Sequence, residues 1–417
     1  MKRAFEAINR FTNSRGFYIV LYSILGLLAV LSIYAGTRNA YIYSQDFQYD
    51  AAKALLSGCD PYDVSLSGVK SPKIEGLEDY YAYYESIGAP QRMEANQFPS
   101  LLYLLAPWCF FGPGTARLLW LISNLVFTAL ILYLLSLTFM KETEIRNFAI
   151  FALLMICGTP WRNQLGVGQH TLFSVAFFLL AVFLSEKYEE EKKGFLPLLA
   201  GLCLAVAYFK YTLTVPMTVY FVYKRKWKEL AVSILPHVLL TAAAALALKE
   251  SFIDMLIKPL KVASKLSSSG SIDLGALLGG GSISLALTLV LMTGLTVFAF
   301  LCPDRRENDS LVISLAVLLA NIMTYHRMYD FFVMILVFSY FNNKRPSYGE
   351  ALYSLVCCAV FFIPRIFNDS PGALAVVAIP YYLFTARMIL EGIRALRYVN
   401  QNTRWLSRTS GRQSRRK

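Results

Sequence analysis

Charge is what this chain lacks most. Asp, Glu, Lys and Arg together make up 16% of its 417 residues, well below the quarter or so of a soluble domain, so a single soluble globular fold is excluded. Histidine is nearly absent, with three in all. The seven cysteines show no CxxC and no paired spacing, which leaves no zinc or disulfide framework to read. No internal repeat is evident. What fills the space is apolar: 56% of residues are hydrophobic and 14% aromatic.

Those residues fall into runs long enough to cross a hydrocarbon core, which takes roughly 20 helical residues. The runs predict an all-α polytopic membrane protein of about twelve spans: 17–37, 114–138, 147–162, 170–186, 195–209, 211–224, 229–249, 281–302, 310–325, 327–341, 348–364 and 371–390. Residues 1–395 then form one membrane domain and 396–417 a basic tail. An even number of spans puts both termini on one side. That side collects about two-thirds of the 40 lysines and arginines, including Lys224-Arg225-Lys226-Trp227-Lys228 and Arg305-Arg306, while the acids divide almost evenly. By the positive-inside rule it is the cytoplasmic side of a plasma or inner membrane. The net charge of +13 is explained by basic loops against anionic lipid, and nucleic acid need not be invoked. The first run carries no small-residue cleavage site after it and reads as a retained span.

Two loops on the opposite, extracytoplasmic side are long. The first, about Arg38 to Gln97, opens with Asp46-Phe47-Gln48-Tyr49-Asp50. The pattern predicts a short amphipathic helix with Tyr49, Ala52, Leu55 and Leu56 on one face and Asp46, Asp50 and Lys53 on the other. Gly58 and Asp60-Pro61 end it. Tyr80, Tyr81, Tyr83 and Tyr84 suggest a segment at headgroup level. Leu101 to Phe111 is apolar but spans only about half of a 30 Å core at 1.5 Å per residue, the length of a re-entrant half-helix. In the second loop, Lys249 to Gly280, Phe252, Met255, Leu256 and Leu260 alternate with Lys258, Lys261 and Lys265, as in an interfacial basic helix. The Ser- and Gly-rich stretches after it suit either a gate or plain linkers.

Ionisable groups at span ends carry the functional signal. On the extracytoplasmic side these are Asp46, then Asn163, Gln164, Gln169 and His170, then Lys210, then His326, Arg327 and Asp330. One acid among several cations and amides at one depth suits transfer of a group away from a phosphate: a base takes a proton from an attacking hydroxyl, and cations balance the charge of the leaving phosphate. Simpler readings stand beside this. Asp46 could cap a helix N-terminus, Asp50 could pair with Lys53 or join Asp46 at a Mg²⁺ or Mn²⁺ ion, Lys210 could snorkel, His237 could pack between helices, and Arg162 and Arg327 could meet lipid headgroups.

The residues Asp46-x3-Asp50 with Gly58-x-Asp60-Pro61-Tyr62, Phe98-Pro99, Pro160 with Gly168-Gln169, Lys210 and His326, in this order and at these span ends, resemble the polyprenyl-phosphate-mannose-dependent α-mannosyltransferases. These form glycosyltransferase family 87, once filed as domain of unknown function 2029, within the glycosyltransferase C superfamily. Ser100 stands where the family usually has a second proline, and Thr171 near the place of an asparagine; His170 has no clear counterpart. The resemblance implies a GT-C-type fold with Asp46 as general base. Lys210 and His326 would face the donor phosphate or sugar and Gln169 would line the pocket, with Arg327, Asp50, Tyr62 and Asn163 as further substrate contacts. It implies inverting transfer of a hexose, expected to be mannose, from a polyprenyl-phosphate sugar to a glycolipid, glycan or protein hydroxyl, with no cofactor and no metal. The alternatives are a transporter or flippase of a lipid-linked saccharide, and a polymerase or ligase using a diphosphate-lipid donor.

Overall fold

A computed structural model describes residues 14–266, 272–279, 281–343 and 378–396. The expected span 348–364, the first residues of the span 371–390, the basic tail and most of the serine–glycine stretches lie outside the described residues. Among the described residues there are helices and 3₁₀ turns and no strand.

Among the described residues, six helical stretches are long and apolar enough to cross a bilayer: Arg15–Ile42, Pro113–Leu137, Thr171–Glu191, Leu196–Met217, Trp227–Leu248 and Gly281–Leu301. Their burial sorts them by position. Thr171–Glu191 is 61% buried and is the central helix, whereas Arg15–Ile42 and Gly281–Leu301 are 17% buried and turn residues such as Leu27, Val30, Leu289 and Val290 outward. Large apolar surface of that extent belongs against lipid.

Leu196–Met217 is not one straight rod. A 3₁₀ turn at Tyr208–Lys210 interrupts it. At the end of this turn the backbone N–H of Lys210 donates to Ser174 Oγ (2.9 Å), near the start of the central helix. Ten residues later Tyr220 donates to Glu186 near that helix's end (3.4 Å). The chain therefore reverses at Lys210, as the two runs 195–209 and 211–224 had implied, and presents that lysine at an apex. The expected span 147–162 is likewise two helices, Ile145–Cys157 and Thr159–Val167. Gly158 is extended between them (ψ 136°) and Pro160 starts the second, a position where proline's missing N–H costs nothing. The run at 327–341 begins as a 3₁₀ turn, Met328–Val333, before Met334–Asn343.

The first long loop is folded, and much of it differs from expectation. Tyr49–Leu56, Pro61–Ser67 and Glu78–Ser86 are short helices. The four tyrosines turn inward: Tyr80, Tyr81 and Tyr84 are buried, and Tyr83 and Tyr84 donate to the carbonyls of Ile42 and Tyr43, satisfying orphan acceptors at the end of the first helix. The apolar run Pro99–Cys109 is helical but broken by a 3₁₀ turn at Tyr103–Leu105. His237 pins its start, with Nδ1 2.9 Å from Ser100 Oγ and Nε2 3.0 Å from Ala205 O, the packing role its sequence context suggests. In the second loop Phe252–Leu266 is helical, but Lys258 points inward rather than to solvent. Its ammonium lies 2.7 Å from Asp60, 3.0 Å from Asp63 and 3.3 Å from Glu250, tying the two loops together.

Candidate active site

Asp46 sits on the 3₁₀ turn Gln45–Phe47, between Ser44 and Gln48, both left-handed (φ 36° and 62°). Left-handed backbone is uncommon for such residues and persists only where surroundings enforce it. Here they do. Phe47 stacks on the buried Trp120 ring at 4.7 Å, its carbonyl meets His170 Nε2 at 2.9 Å, and Gln48 Nε2 donates to Glu94 O (2.9 Å). The left-handed Gln48 also ends the expected common face of Asp46, Asp50 and Lys53. Asp50 accepts from Tyr81 (3.1 Å) and Lys53 donates to Cys109 O (3.1 Å), each away from Asp46. The two carboxylates thus have different hydrogen-bond partners, Tyr81 for Asp50 and Gln169 for Asp46. Nor does Asp46 cap the helix that follows, whose N-terminal residue is Gln48 without a side-chain cap.

The partner of Asp46 arrives from the sequence pair Gly168-Gln169. Gly168 is left-handed (φ +71°), and a Cβ there would sit 2.9 Å from Ser44 Cβ and 3.0 Å from Ser44 Cα. Glycine is needed on both counts. Trp120 Nε1 holds the Gly168 carbonyl at 2.8 Å. Gln169 then reaches Asp46: its Nε2 donates to Asp46 Oδ2 (3.1 Å) and to the Tyr329 hydroxyl (3.0 Å). Its Oε1 accepts from the His170 backbone N–H (3.0 Å) and from Lys210 Nζ (3.3 Å). One amide therefore stands between acid and ammonium, with its oxygen toward the cation and its nitrogen toward the anion.

Lys210 is also 3.1 Å from Asp330 Oδ1. Asp330, 2% exposed, accepts from Thr171 Oγ1 (2.9 Å) and lies 3.2 Å from His326 Nδ1. His326 Nε2 is 2.8 Å from Thr324 Oγ1, so both ring nitrogens of this buried histidine have protein partners. Arg327 is exposed, with Nε donating to Tyr325 (3.0 Å). Crowding by protein atoms raises the Asp46 carboxyl above the ordinary carboxylate range. The positive charges of Arg327 and Lys210, and hydrogen bonds from Gln169 and Tyr329, pull it part of the way back. A half-buried acid so balanced is more basic than a surface aspartate, as a proton acceptor needs to be.

Of the residues singled out in the sequence, Asp46, Gln169, Lys210, His326 and Arg327 come together. Tyr62 is wholly buried with its hydroxyl on Gln97 O (2.8 Å), Asp50 faces Tyr81, and Asn163 is half-buried on Thr159–Val167 outside the hydrogen-bonded set. The network adds Tyr329 and Thr171, neither of which was a candidate in the sequence, and gives Asp330 a central role. Their proximity to Lys210 comes from helix packing and leaves no local signature.

A family model described as Glycosyltransferase family 87 matches residues 99–328, more than half of the chain. The chain belongs to glycosyltransferase family 87. The matched region of this family 87 protein contains Gln169, Lys210 and His326, with Asp46 before it and Asp330 just beyond. The chain is also 26% identical over 188 residues to the dolichyl-phosphooligosaccharide-protein glycotransferase 2 of Archaeoglobus fulgidus, a match over 44% of this chain and 28% of that protein. It thus spans under a third of that relative's length. No solved structure matches the chain. The chain is thus a family 87 protein with several helices apolar and long enough to cross a membrane.

Proposed function

We propose that this glycosyltransferase moves a hexose, mannose by preference, from a polyprenyl-phosphate donor to a hydroxyl on an extracytoplasmic glycolipid, glycan or protein, with inversion. In the proposed step Asp46 takes the acceptor hydroxyl proton while the oxygen attacks the anomeric carbon on the face opposite the phosphate. The carbon–oxygen bond to phosphate breaks, its electrons leave with the polyprenyl phosphate, and Lys210 and Arg327 balance the new charge. A β-linked donor gives an α-linked product.

The observation that carries this reading is the Asp46–Gln169–Lys210 arrangement: a base and a cation held one amide apart at one end of the bundle. Lys210 uses two of its three N–H donors on Gln169 and Asp330, which leaves a third for phosphate. His326, enclosed by Asp330 and Thr324, supports that pair in this reading rather than touching the donor. The basic end of the bundle is the cytoplasmic one of a plasma membrane, with both termini there and the site on the opposite face.

Purified protein incubated with a panel of polyprenyl-phosphate sugars, with product linkage determined, tests the donor. Asp46→Asn should insert normally and lose at least about 100-fold in turnover, the scale of a general base; near wild-type transfer by that variant sinks the mechanism. Lys210→Ala should raise the donor KM more than it lowers turnover at saturation.

A further inference from the structure

Gln169 separates the proposed base from the proposed phosphate ligand, but an amide cannot hold an ammonium in place by itself. Lysine carries its charge on a flexible four-carbon stem, and Asp46 lies just across the Gln169 side chain from Nζ. A direct Lys210–Asp46 ion pair would occupy the base and spend the cation on it. Something must hold Lys210 back.

Only Asp330 is placed to do so among the described residues. It offers the ammonium a full charge at 3.1 Å, against 3.3 Å to the neutral Gln169 oxygen. Its own position is fixed from three other directions: Thr171 Oγ1 on Oδ1 (2.9 Å), His326 Nδ1 on Oδ2 (3.2 Å), and the Arg327 backbone N–H on Oδ2 (3.4 Å). These donors come from the central helix and from the 326–330 turn, so the carboxylate cannot follow the lysine if it moves. A buried ion pair with one partner deleted leaves an uncompensated charge that seeks another, and the carboxylate across the amide is Asp46.

We propose that Asp330 is a positioning residue, which keeps the Lys210 ammonium on the far side of the Gln169 amide, away from Asp46 and turned to the leaving phosphate. This rests on the reading in which Asp46 is the base. The charged and titratable groups around Asp46 are Lys210, Arg327, Tyr329 and Tyr80; those around Asp330 are Lys210, His326, His170 and Tyr329. Of these, Lys210 alone is hydrogen-bonded both to Asp330 and to the amide that contacts Asp46.

The test uses the full-length protein, the polyprenyl-phosphate sugar it turns over, and polyprenyl phosphate as a binding probe. Asp330→Asn should lower turnover by roughly 10-fold or more and weaken polyprenyl phosphate binding. The acidic limb of its pH–rate profile should move to lower pH, because a paired Asp46 gives up its proton more readily. Asp330→Glu should recover part of both. In the double variant Asp46→Asn, Asp330→Asn the lysine has no carboxylate to fall onto, so binding should return to that of Asp46→Asn alone. An unmoved limb with unweakened binding in Asp330→Asn overturns the proposal, as does a uniform loss that glutamate does not rescue. If Asp330→Asn does not fold, Thr171→Val loosens the same carboxylate and should shift the limb the same way by less; no shift is again fatal. Full activity in Asp46→Asn would instead overturn the general-base reading, a result separate from the binding measurements.

Discussion

Asp50→Asn is expected to stabilise the protein at neutral pH. Burial pushes the Asp50 carboxyl up to about 6, above its unfolded value near 4. The folded state therefore binds this proton over a window where the unfolded chain does not. The associated stability is fully present below about pH 4 and is lost as pH rises through 6. Asparagine keeps a partner for Tyr81 without the charge, which is worth up to about 3 kcal/mol at pH 7 and nothing at pH 4. Melting temperatures in detergent at the two pH values check it. Asp46 titrates above the ordinary range too, so transfer should fall away on acidification sooner than for an exposed aspartate. At this scale the sequence was legible where a residue's type and its place at a span end both pointed to chemistry, as for Asp46, Gln169 and Lys210. It was silent on Asp330 as an anchor, because Lys210, Thr171 and His326 meet it from separate stretches of chain. It misled on Asp50, whose i, i+4 spacing from Asp46 means nothing once Gln48 turns left-handed.

Between elements, the tight seam nearest the site is where Gly168 meets Ser44. Gly168→Ala puts a methyl group 2.9 Å from Ser44 Cβ in a backbone conformation that costs alanine about 1 kcal/mol or more. The Asp46 turn must shift in response. Transfer should drop by more than about 10-fold, since small misplacements of reacting groups are expensive, while the bundle itself remains assembled by size-exclusion profile. The other seam is Lys258 among Asp60, Asp63 and Glu250. Lys258→Ala leaves three carboxylates facing one another, so amide hydrogen exchange should quicken in 252–266 and 61–67 and stay unchanged in 171–191. Hydropathy located most helices, because length and apolar content are local properties. It missed the interruptions at Gly158 and Tyr103–Leu105 and the inward turn of Lys258, which are decided by what lies across the interface.

The whole molecule has two unlike ends. One carries the Asp46 network and the folded first loop. The other carries Lys224 bonded to Asp304 (2.8 Å) and Asp309 (2.7 Å), beside a cavity of about 780 Å³ whose lining mixes Glu186, Glu189, Lys226 and Arg306. Asp46, Gln169 and Lys210 are not among the residues that line it, so in our reading it is not the reaction centre. The orientation in our reading has a direct check: Cys59 is exposed beside Asp60, while Cys109 and Cys302 are buried. A membrane-impermeant maleimide should label intact cells at Cys59 and lose that signal in Cys59→Ser; labelling only after permeabilisation would invert the topology. In our reading Lys210 and Arg327 take the charge of the leaving phosphate, so transfer should survive a strong chelator. Of the twelve expected spans, the described residues hold six helices of the length and hydropathy needed; one expected span and part of another lie outside those residues, and 147–162 is divided between two shorter helices.

The amide of Gln169 has one more effect. With both its N–H groups committed, to Asp46 and to Tyr329, it conducts no hydrogen ion toward the lysine. In the proposed cycle, whatever Asp46 collects from the acceptor must go back to bulk water. In that cycle the Asp46 site has to admit solvent once per turnover, between departure of the glycosylated product and arrival of the next hydroxyl.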